Sequence, residues 1–401
     1  MSDILDIDGT PVFNNRITSI ETHTYNPYVN TRLGNSDEIR IPIQQQDLYT
    51  LLCESHLYIK GKLGLLEKKP EGVKEDVVLD NYCAASLFDE IRYELDGVEI
   101  DRCKNPGVAT ALKNYVSLSI EKSKTLGNAG WYHKQNAAIA DFHFCVPLGM
   151  LFGFCGDYKR IVFNARHELI LIRSRNDENA LIGPTVLKLV LKLFKVQWRM
   201  PHVGLDELNK LALLHIVESG RLISMSFRSW DLYEYPLLQT TTKHTWSVKT
   251  ATRLEKPRYV IFAKQTDRKN QLDKTFNHFE NCKLSNIRQH LNSKSYPYDD
   301  LNLDFDKNKY ATLYDMYANF RKSYYGHSEP LLDMLEFLSC GPFAVIDCSR
   351  QNETLKSATT DVKIDFECKD NVPLNTTAYC LIIHDRIVEY SPLTNVVRRI
   401  N

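Results

Sequence analysis

Ile91-Arg92-Tyr93-Glu94-Leu95-Asp96 and Ile287-Arg288-Gln289-His290-Leu291-Asn292 decide the fold, because they are one pattern written twice. Both read I-R-x-x-L followed by Asp or Asn, and they stand 287 − 91 = 196 residues apart in a chain of 401. An offset of almost half the length points to an internal repeat, and a repeat governs every later assignment. The surroundings agree. Each copy is followed by a turn-rich gap, a helical pattern and three strand-like runs in the same order. The run around Phe144 finds its counterpart near Val345 (345 − 144 = 201), His167 near Ile364 (364 − 167 = 197) and Val190 near Ile383 (383 − 190 = 193).

Working outward, strand periodicity dominates. Ile20, Thr22 and Thr24 alternate in one run, Ile39, Ile41 and Ile43 in the next, and Leu57, Ile59 and Gly61 against His56, Tyr58 and Lys60 in a third. A period of two marks half-buried strands. Asp96-Gly97 is a hairpin turn signal. Asn105-Pro106 opens a helix as a capping residue followed by proline at the first helical position, and its expected face is Val108, Ala111, Leu112, Tyr115, Leu118 and Ser119. Between Val186 and Met200, Leu187, Leu189, Leu191 and Leu193 share one face, and then Phe194, Val196 and Trp198 take over. A β-bulge at Leu193/Phe194 would keep both sets facing the core.

Pro201 to Gly204 reads as the boundary, which divides the chain into 1–203 and 204–401. A short amphipathic segment, Leu205 to Val217, then leads into the second half. There Ser293 to Asp306 reads as a turn-rich gap, and the helix after it carries Tyr310, Leu313, Tyr314, Tyr317, Phe320 and Tyr324 on one face, with Gly326 as its stop. A tyrosine stripe at this spacing is expected in a core or an interface. Regularly spaced strands with few helices make each half a β-sandwich.

Composition is that of a globular protein, with 43% apolar and 25% charged residues. Fifty basic residues balance fifty acidic ones. That balance calls for neither nucleic acid nor membrane, and it permits dense association. MSDILDIDGT lacks the apolar segment of a signal peptide, and Phe142 to Cys155 is too short and broken to span a bilayer. Ten scattered cysteines without a C-x-x-C pair are expected as free thiols in a reducing compartment. The short basic clusters, Lys68 to Lys74 and Arg398-Arg399, are no polybasic arm.

Chemistry is sparse. His167-Glu168 begins like a zinc-protease motif, but Leu171 stands where the second histidine belongs. The glycines 149, 153 and 156 form no phosphate-binding loop. Asp299-Asp300 and the Asp304/Asp306 pair lack the distal glutamate of a calcium loop and read as turn residues. His278-Phe279-Glu280, with His327 or His384 as a third ligand, matches the two-histidine, one-carboxylate set of non-haem iron enzymes. Chance occurrence among twelve histidines and fifty carboxylates is the plainer account. No residue is assigned as catalytic, cofactor-binding or metal-ligating.

The runs Asp47-Leu48-Tyr49, Leu57 to Lys62, Ser86 to Ile91 and Leu95 to Ile100 resemble the first jelly roll of the major capsid proteins of Polinton/Maverick elements and adintoviruses. Asn286 to Arg288, Leu291-Asn292, Tyr296 to Tyr298, Leu301 to Leu303, Tyr310 and Leu313 to Tyr317 resemble the second. The resemblance covers Ile17 to the C-terminus and rests on strand and turn patterns. It implies an all-β fold of two tandem eight-stranded jelly-roll sandwiches with a few short helices in the connecting loops. It also implies a homotrimeric, pseudo-hexagonal capsomer in an icosahedral virion shell, assembled inside the host cell with a minor, penton-type partner. It implies no enzyme activity, cofactor, membrane span or sequence-specific nucleic-acid binding. Two alternatives stand beside it: a non-haem iron oxygenase built on His278 and Glu280, and a two-domain carbohydrate-binding sandwich.

Overall fold

The computed structural model describes residues 16–29, 31–45, 48–65, 77–131, 141–248, 257–291, 294–326, 329–350 and 362–400. Eight principal strands build the first half: β1 (Ile17–Tyr25), β2 (Glu38–Ile43), β3 (His56–Leu65), β4 (Phe88–Leu95), β5 (Val98–Lys104), β6 (Asp141–Pro147), β7 (His167–Arg173) and β8 (Leu189–Leu205). They pair antiparallel in two sheets, ordered β1-β8-β3-β6 and β2-β7-β4-β5. The second half repeats this with β9 (Ile223–Tyr235), β10 (Lys243–Val248), β11 (Pro257–Thr266), β12 (Leu284–Leu291), β13 (Lys294–Tyr296), β14 (Ala344–Asp347), β15 (Val362–Cys368) and β16 (Thr376–Ser391). Its sheets run β9-β16-β11-β14 and β10-β15-β12-β13, so adding eight to each label of the first pair yields the second. This strand order, with the first strand beside the last, is a jelly roll. A further strand, β17 (Val396–Ile400), pairs with β16.

The repeated I-R-x-x-L lies in β4 and β12, equivalent strands, with Ile91, Leu95, Ile287 and Leu291 buried and both arginines on the outer side. Asn292 and Ser293 lie outside the described residues, as does the charged loop Lys68 to Glu75. Strand equivalence holds along the chain, but the offset is not constant. Ile59 and Val260, each fourth in its strand, face Val196 and Ile382, and 382 − 196 = 186. Bulges and unequal loops account for the drift. The Asp96-Gly97 turn has positive φ at both residues, 48° and 79°, as the two-residue hairpin requires. A Cβ on Gly61 would sit 2.5 Å from the Phe142 ring and 2.8 Å from the Lys192 carbonyl, so glycine lets β6 and β8 close around β3.

Several expectations change. The bulge falls between Leu193 and Lys195 as read, but it extrudes Phe194, which is 51% exposed, while Val196 and Trp198 turn inward. The pair that resumes the ladder is Lys195 with Lys60, and the unpaired extra residue goes to solvent. Pro201 to Gly204 is strand, not a boundary loop: β8 pairs with β1 through Leu205, and the Pro201 carbonyl accepts from the Leu51 N–H at 3.0 Å. The division at 203/204 therefore falls inside β8. The link is helix α2 (Glu207–Glu218), and among the described residues no sheet joins strands from its two sides. Lastly, β13 was hidden in the turn-rich gap because three residues are too few to show a period.

Helix α1 (Pro106–Ser117) follows β5, and helix α3 (Ala311–Tyr325) follows β13, at equivalent places. Pro106 takes the first helical position as expected. The Asn105 side chain does not cap; it reaches Glu234 in the second half at 2.5 Å. All twelve α1 residues are buried, far more than one amphipathic face. α3 buries Leu313, Tyr317, Phe320 and Tyr324 as expected and stops at Gly326 with φ 76°. A short helix α4 (Met334–Cys340) begins with a reciprocal Asp333/Glu336 capping box. The buried apolar residues of both halves form one continuous cluster.

Candidate functional site

The residues singled out for metal chemistry do not converge. Glu280 is committed to Arg268, 2.9 Å away, and the His278 carbonyl accepts from Gln265 at 2.9 Å. His384 is buried on β16, with its Nε2 3.2 Å from Arg386 and 3.7 Å from Asp231. His327 lies outside the described residues. Among the described residues, no three His, Cys, Asp or Glu side chains are grouped to hold a metal ion. Asp304 and Asp306 are both held by Lys369, and Asp300 by Arg288 and Asn286. His167 is buried between Thr50 (3.2 Å) and Tyr93 (2.9 Å), and that burial lowers its pKa to about 3. The α3 tyrosines pack as core: Tyr317 stacks on Phe337 and meets Phe343 edge-on, at 5.0 and 5.5 Å.

What the structure does assemble is a polar junction between the halves. Asp101 of β5 is its centre. Its carboxylate accepts from Ser229 Oγ (2.8 Å) and the Phe154 N–H (3.0 Å), with Arg386 3.9 Å away. Burial raises the carboxyl's pKa above its ordinary value, and Arg386, Phe154 and Ser229 oppose that rise. Beside it, Arg228 of β9 forms an ion pair with Asp157, Nε to Oδ2 2.8 Å and Nη2 to Oδ1 3.1 Å. The same guanidinium donates to the Tyr324 carbonyl and lies 3.5 Å from the Tyr324 ring centre. Lys113 of α1 points at the Trp230 ring from 4.8 Å, and burial lowers its pKa to about 8. Gly153 is obligatory here, since a Cβ would stand 1.7 Å from the Arg228 carbonyl.

A second set of contacts reuses the repeat. The Phe276 N–H donates to Asp80 (2.7 Å), and Asn277 Nδ2 donates to the Asn81 carbonyl (2.8 Å), both across 196 residues. Equivalent segments of the two halves thus meet each other. Tyr115 Oη donates to the Asn277 carbonyl and Tyr317 Oη to the Tyr115 carbonyl, tying α1 to α3. Sequence reasoning placed Tyr115, Tyr317 and Tyr324 on buried helix faces but missed Asp101, Asp157, Arg228, Ser229 and Arg386. A buried aspartate in a strand looks like any turn or surface aspartate until its partners 128 residues away are known.

Two jelly rolls of identical strand order, fused through a buried polar junction and one shared core, define the class: the chain belongs to the double jelly roll-like domain family, whose sequence model matches residues 77–388. Solved structures agree on the fold along nearly the whole chain. The Sputnik virophage structure superposes with a TM-score of 0.68 at 8% identity, covering 99% of this chain and 91% of that one. The PBCV-1 virus capsid follows with 0.59 at 10%, covering 98% and 99%, and the mavirus major capsid protein with 0.55 at 10%, covering 98% and 92%. Identities this low speak for the fold. No curated protein matches the chain by sequence.

Proposed function

We propose that this chain is the major capsid subunit of a virus or virus-like element of the Polinton/Maverick and adintovirus type. It assembles as homotrimers with a pseudo-hexagonal outline, and these tile an icosahedral virion shell together with a minor, penton-type protein. Its role is structural rather than enzymatic, and each half, one ending with β8 and the other following α2, supplies one building block. The observation that carries this reading is fold likeness across both full lengths to subunits of viral capsids, 98–99% of this chain and 91–99% of theirs. The junction supports it physically. Two jelly rolls locked through a common core present six rigid blocks per trimer, and many modest contacts among such blocks add up to a stable shell.

Light scattering on the purified chain tests the reading. A trimer has a mass of 3 × 46.4 ≈ 139 kDa and a hexagonal outline in negative stain. A monomer of 46.4 kDa at every concentration would refute it.

A further inference from the structure

The end of the second jelly roll remote from α2 holds a pocket of about 340 Å³. The end of β9, the loop after β11 and the start of β16 enclose it, and small-molecule sites span about 300–1,000 Å³. Two residues that line it each carry a buried polar atom with no hydrogen-bond partner, Gln265 Oε1 and Tyr379 Oη. Gln265 is 2% exposed and Tyr379 0%. The Gln265 amide is fixed. Its Nε2 donates to the Phe276 and His278 carbonyls at 2.5 and 2.9 Å, which leaves Oε1 as a bare acceptor. Burial and neighbouring Glu234 push the Tyr379 phenol up, so it stays a neutral O–H. Burying such atoms unpaired is costly, and the strand repeat does not require them. Ile59 and Val260 are equivalent, so Gly64 stands in the first half where Gln265 stands in the second. Lys192, opposite Lys62, takes the place of Tyr379, opposite Ala263.

The rest of the lining selects the ligand. Charge comes first. Arg268 and Lys269 face two acids, Glu234 and Asp267, across the same pocket. Both bases are already paired, Lys269 with Glu234 at 3.2 Å and Arg268 with Glu280 at 2.9 Å. Balanced charge leaves no net field to draw in an anion or a cation. Asp267, Asn270, Gln271 and Asn375 form an exposed rim of planar polar groups, and Leu237 sets an exposed apolar side chain beside them. Leu237, Asp267, Asn270 and Asn375 all have positive φ, between 48° and 59°. That region is unfavourable for a leucine, and strain of this kind gathers at ligand-binding loops. A bare acceptor and a bare hydroxyl in one pocket call for hydroxyl groups, which donate and accept at once. An ionised phosphate or carboxylate has no proton for Gln265 Oε1, and an ammonium has no lone pair for Tyr379 Oη.

We propose that this pocket binds a neutral pyranose sugar. Its hydroxyls pair with Gln265 Oε1, Tyr379 Oη and the Asp267 carboxylate, and its C–H face lies against Leu237. A few placed polar groups with an apolar side chain are the usual make-up of a small-ligand site. The inference adds a ligand to the capsid reading and does not depend on it.

Saturation-transfer nuclear magnetic resonance on the full chain tests it, with the methyl glycosides of glucose, galactose, mannose and N-acetylglucosamine as probes. At least one should bind one-to-one with a Kd on the order of 1 mM, the affinity expected for a ligand of this size. Tyr379→Phe deletes only an unpartnered hydroxyl, so the fold should hold while affinity falls about three- to tenfold, the worth of one hydrogen bond. Asp267→Ala, on an exposed loop, should weaken binding by a similar factor with the urea midpoint unchanged. Phe194→Ser, in the other jelly roll, should bind as the wild type does. Inorganic phosphate and N-acetylneuraminate should not displace the bound glycoside. Failure of every glycoside to bind at roughly 50 mM, well above that Kd, overturns the inference and leaves a solvated cleft. Binding that survives both Tyr379→Phe and Asp267→Ala overturns it by placing the sugar elsewhere. Displacement by either anion overturns the neutral class of ligand. A monomer that binds a glycoside refutes the capsid reading and supports this one, and a trimer that binds none does the reverse.

Discussion

Replacing Asp101 with alanine removes the centre of the junction. The substitution deletes the acceptor of Ser229 Oγ and of the Phe154 N–H, and it leaves Arg386, whose side chain is 11% exposed, without its carboxylate. Breaking a buried ion pair by removing one partner costs about 3–5 kcal/mol, and Arg386 keeps its donation to the Ile100 carbonyl at 3.2 Å. Asp101 itself resists burial, as its raised pKa records, and removing it relieves that penalty. The expected loss therefore lies near the lower bound, about 3 kcal/mol, a large share of the roughly 5–15 kcal/mol that holds a domain folded. Urea denaturation followed by far-ultraviolet circular dichroism and by tryptophan fluorescence reads it, with linear extrapolation to water. Ser229→Ala, which removes one hydrogen bond, should lose only about 1 kcal/mol. The two probes should report one transition in the wild type, because one core and one junction span both halves. A loss below about 1 kcal/mol for Asp101→Ala, the worth of a single hydrogen bond, would refute the reasoning. So would two separate wild-type transitions, which would mean the halves stand independently.

Gly153→Ala should destabilise by at least about 1–3 kcal/mol, the range for overpacking, since its Cβ has only 1.7 Å to the Arg228 carbonyl; a lowered urea midpoint with unchanged slope checks it. His167 has a folded pKa of about 3 against 6.5 for the free side chain. Below pH 6.5 the unfolded chain thus takes up a proton that the folded one refuses. Stability should fall as pH drops from 6.5 towards 3, by about 1.4 kcal/mol per pH unit from this residue. His167→Gln should flatten that slope in denaturation series between pH 6.5 and 4; His202, lowered to about 4 by burial and by neighbouring His23, and His56, lowered by burial, add to the slope that is left. Phe194→Ser should change monomer stability by no more than about 0.5 kcal/mol, whereas Trp198→Ala, four residues along the same strand, should lose about 3–5 kcal/mol. Equal losses for the two would contradict the position of the bulge.

Strand alternation, the Asp96-Gly97 turn, Pro106, Gly326 and the I-R-x-x-L echo were all legible in the chain, because each is a local rule. A period of two assigns faces, a positive φ selects glycine, and a ring without an N–H favours the start of a helix. Those rules sufficed for two sandwiches in one order. The misreadings share a different cause. Pro201 to Gly204 has the composition of a loop, yet pairing with β1, about 180 residues earlier by the ladder geometry, holds it as strand. Phe194 has the hydrophobicity of a core residue, yet the Leu193–Gly61 and Lys195–Lys60 pairings leave it unpaired and turned outward.

The sequence by itself determined that there are two equivalent β-rich halves, since repetition and alternation are written in neighbouring residues. Only the tertiary structure decided how they join. The periodicity of α1 marks one apolar face, but both halves close over the helix and bury every side. Asp101, Asp157 and Gly153 acquire their roles from Ser229, Arg228 and Arg386, far along the chain. The same holds for what is left bare: β1 and β9 are equivalent strands, and only the position of the first jelly roll covers one and leaves the other open. Local chemistry sets what a strand can bury, and long-range packing sets what buries it.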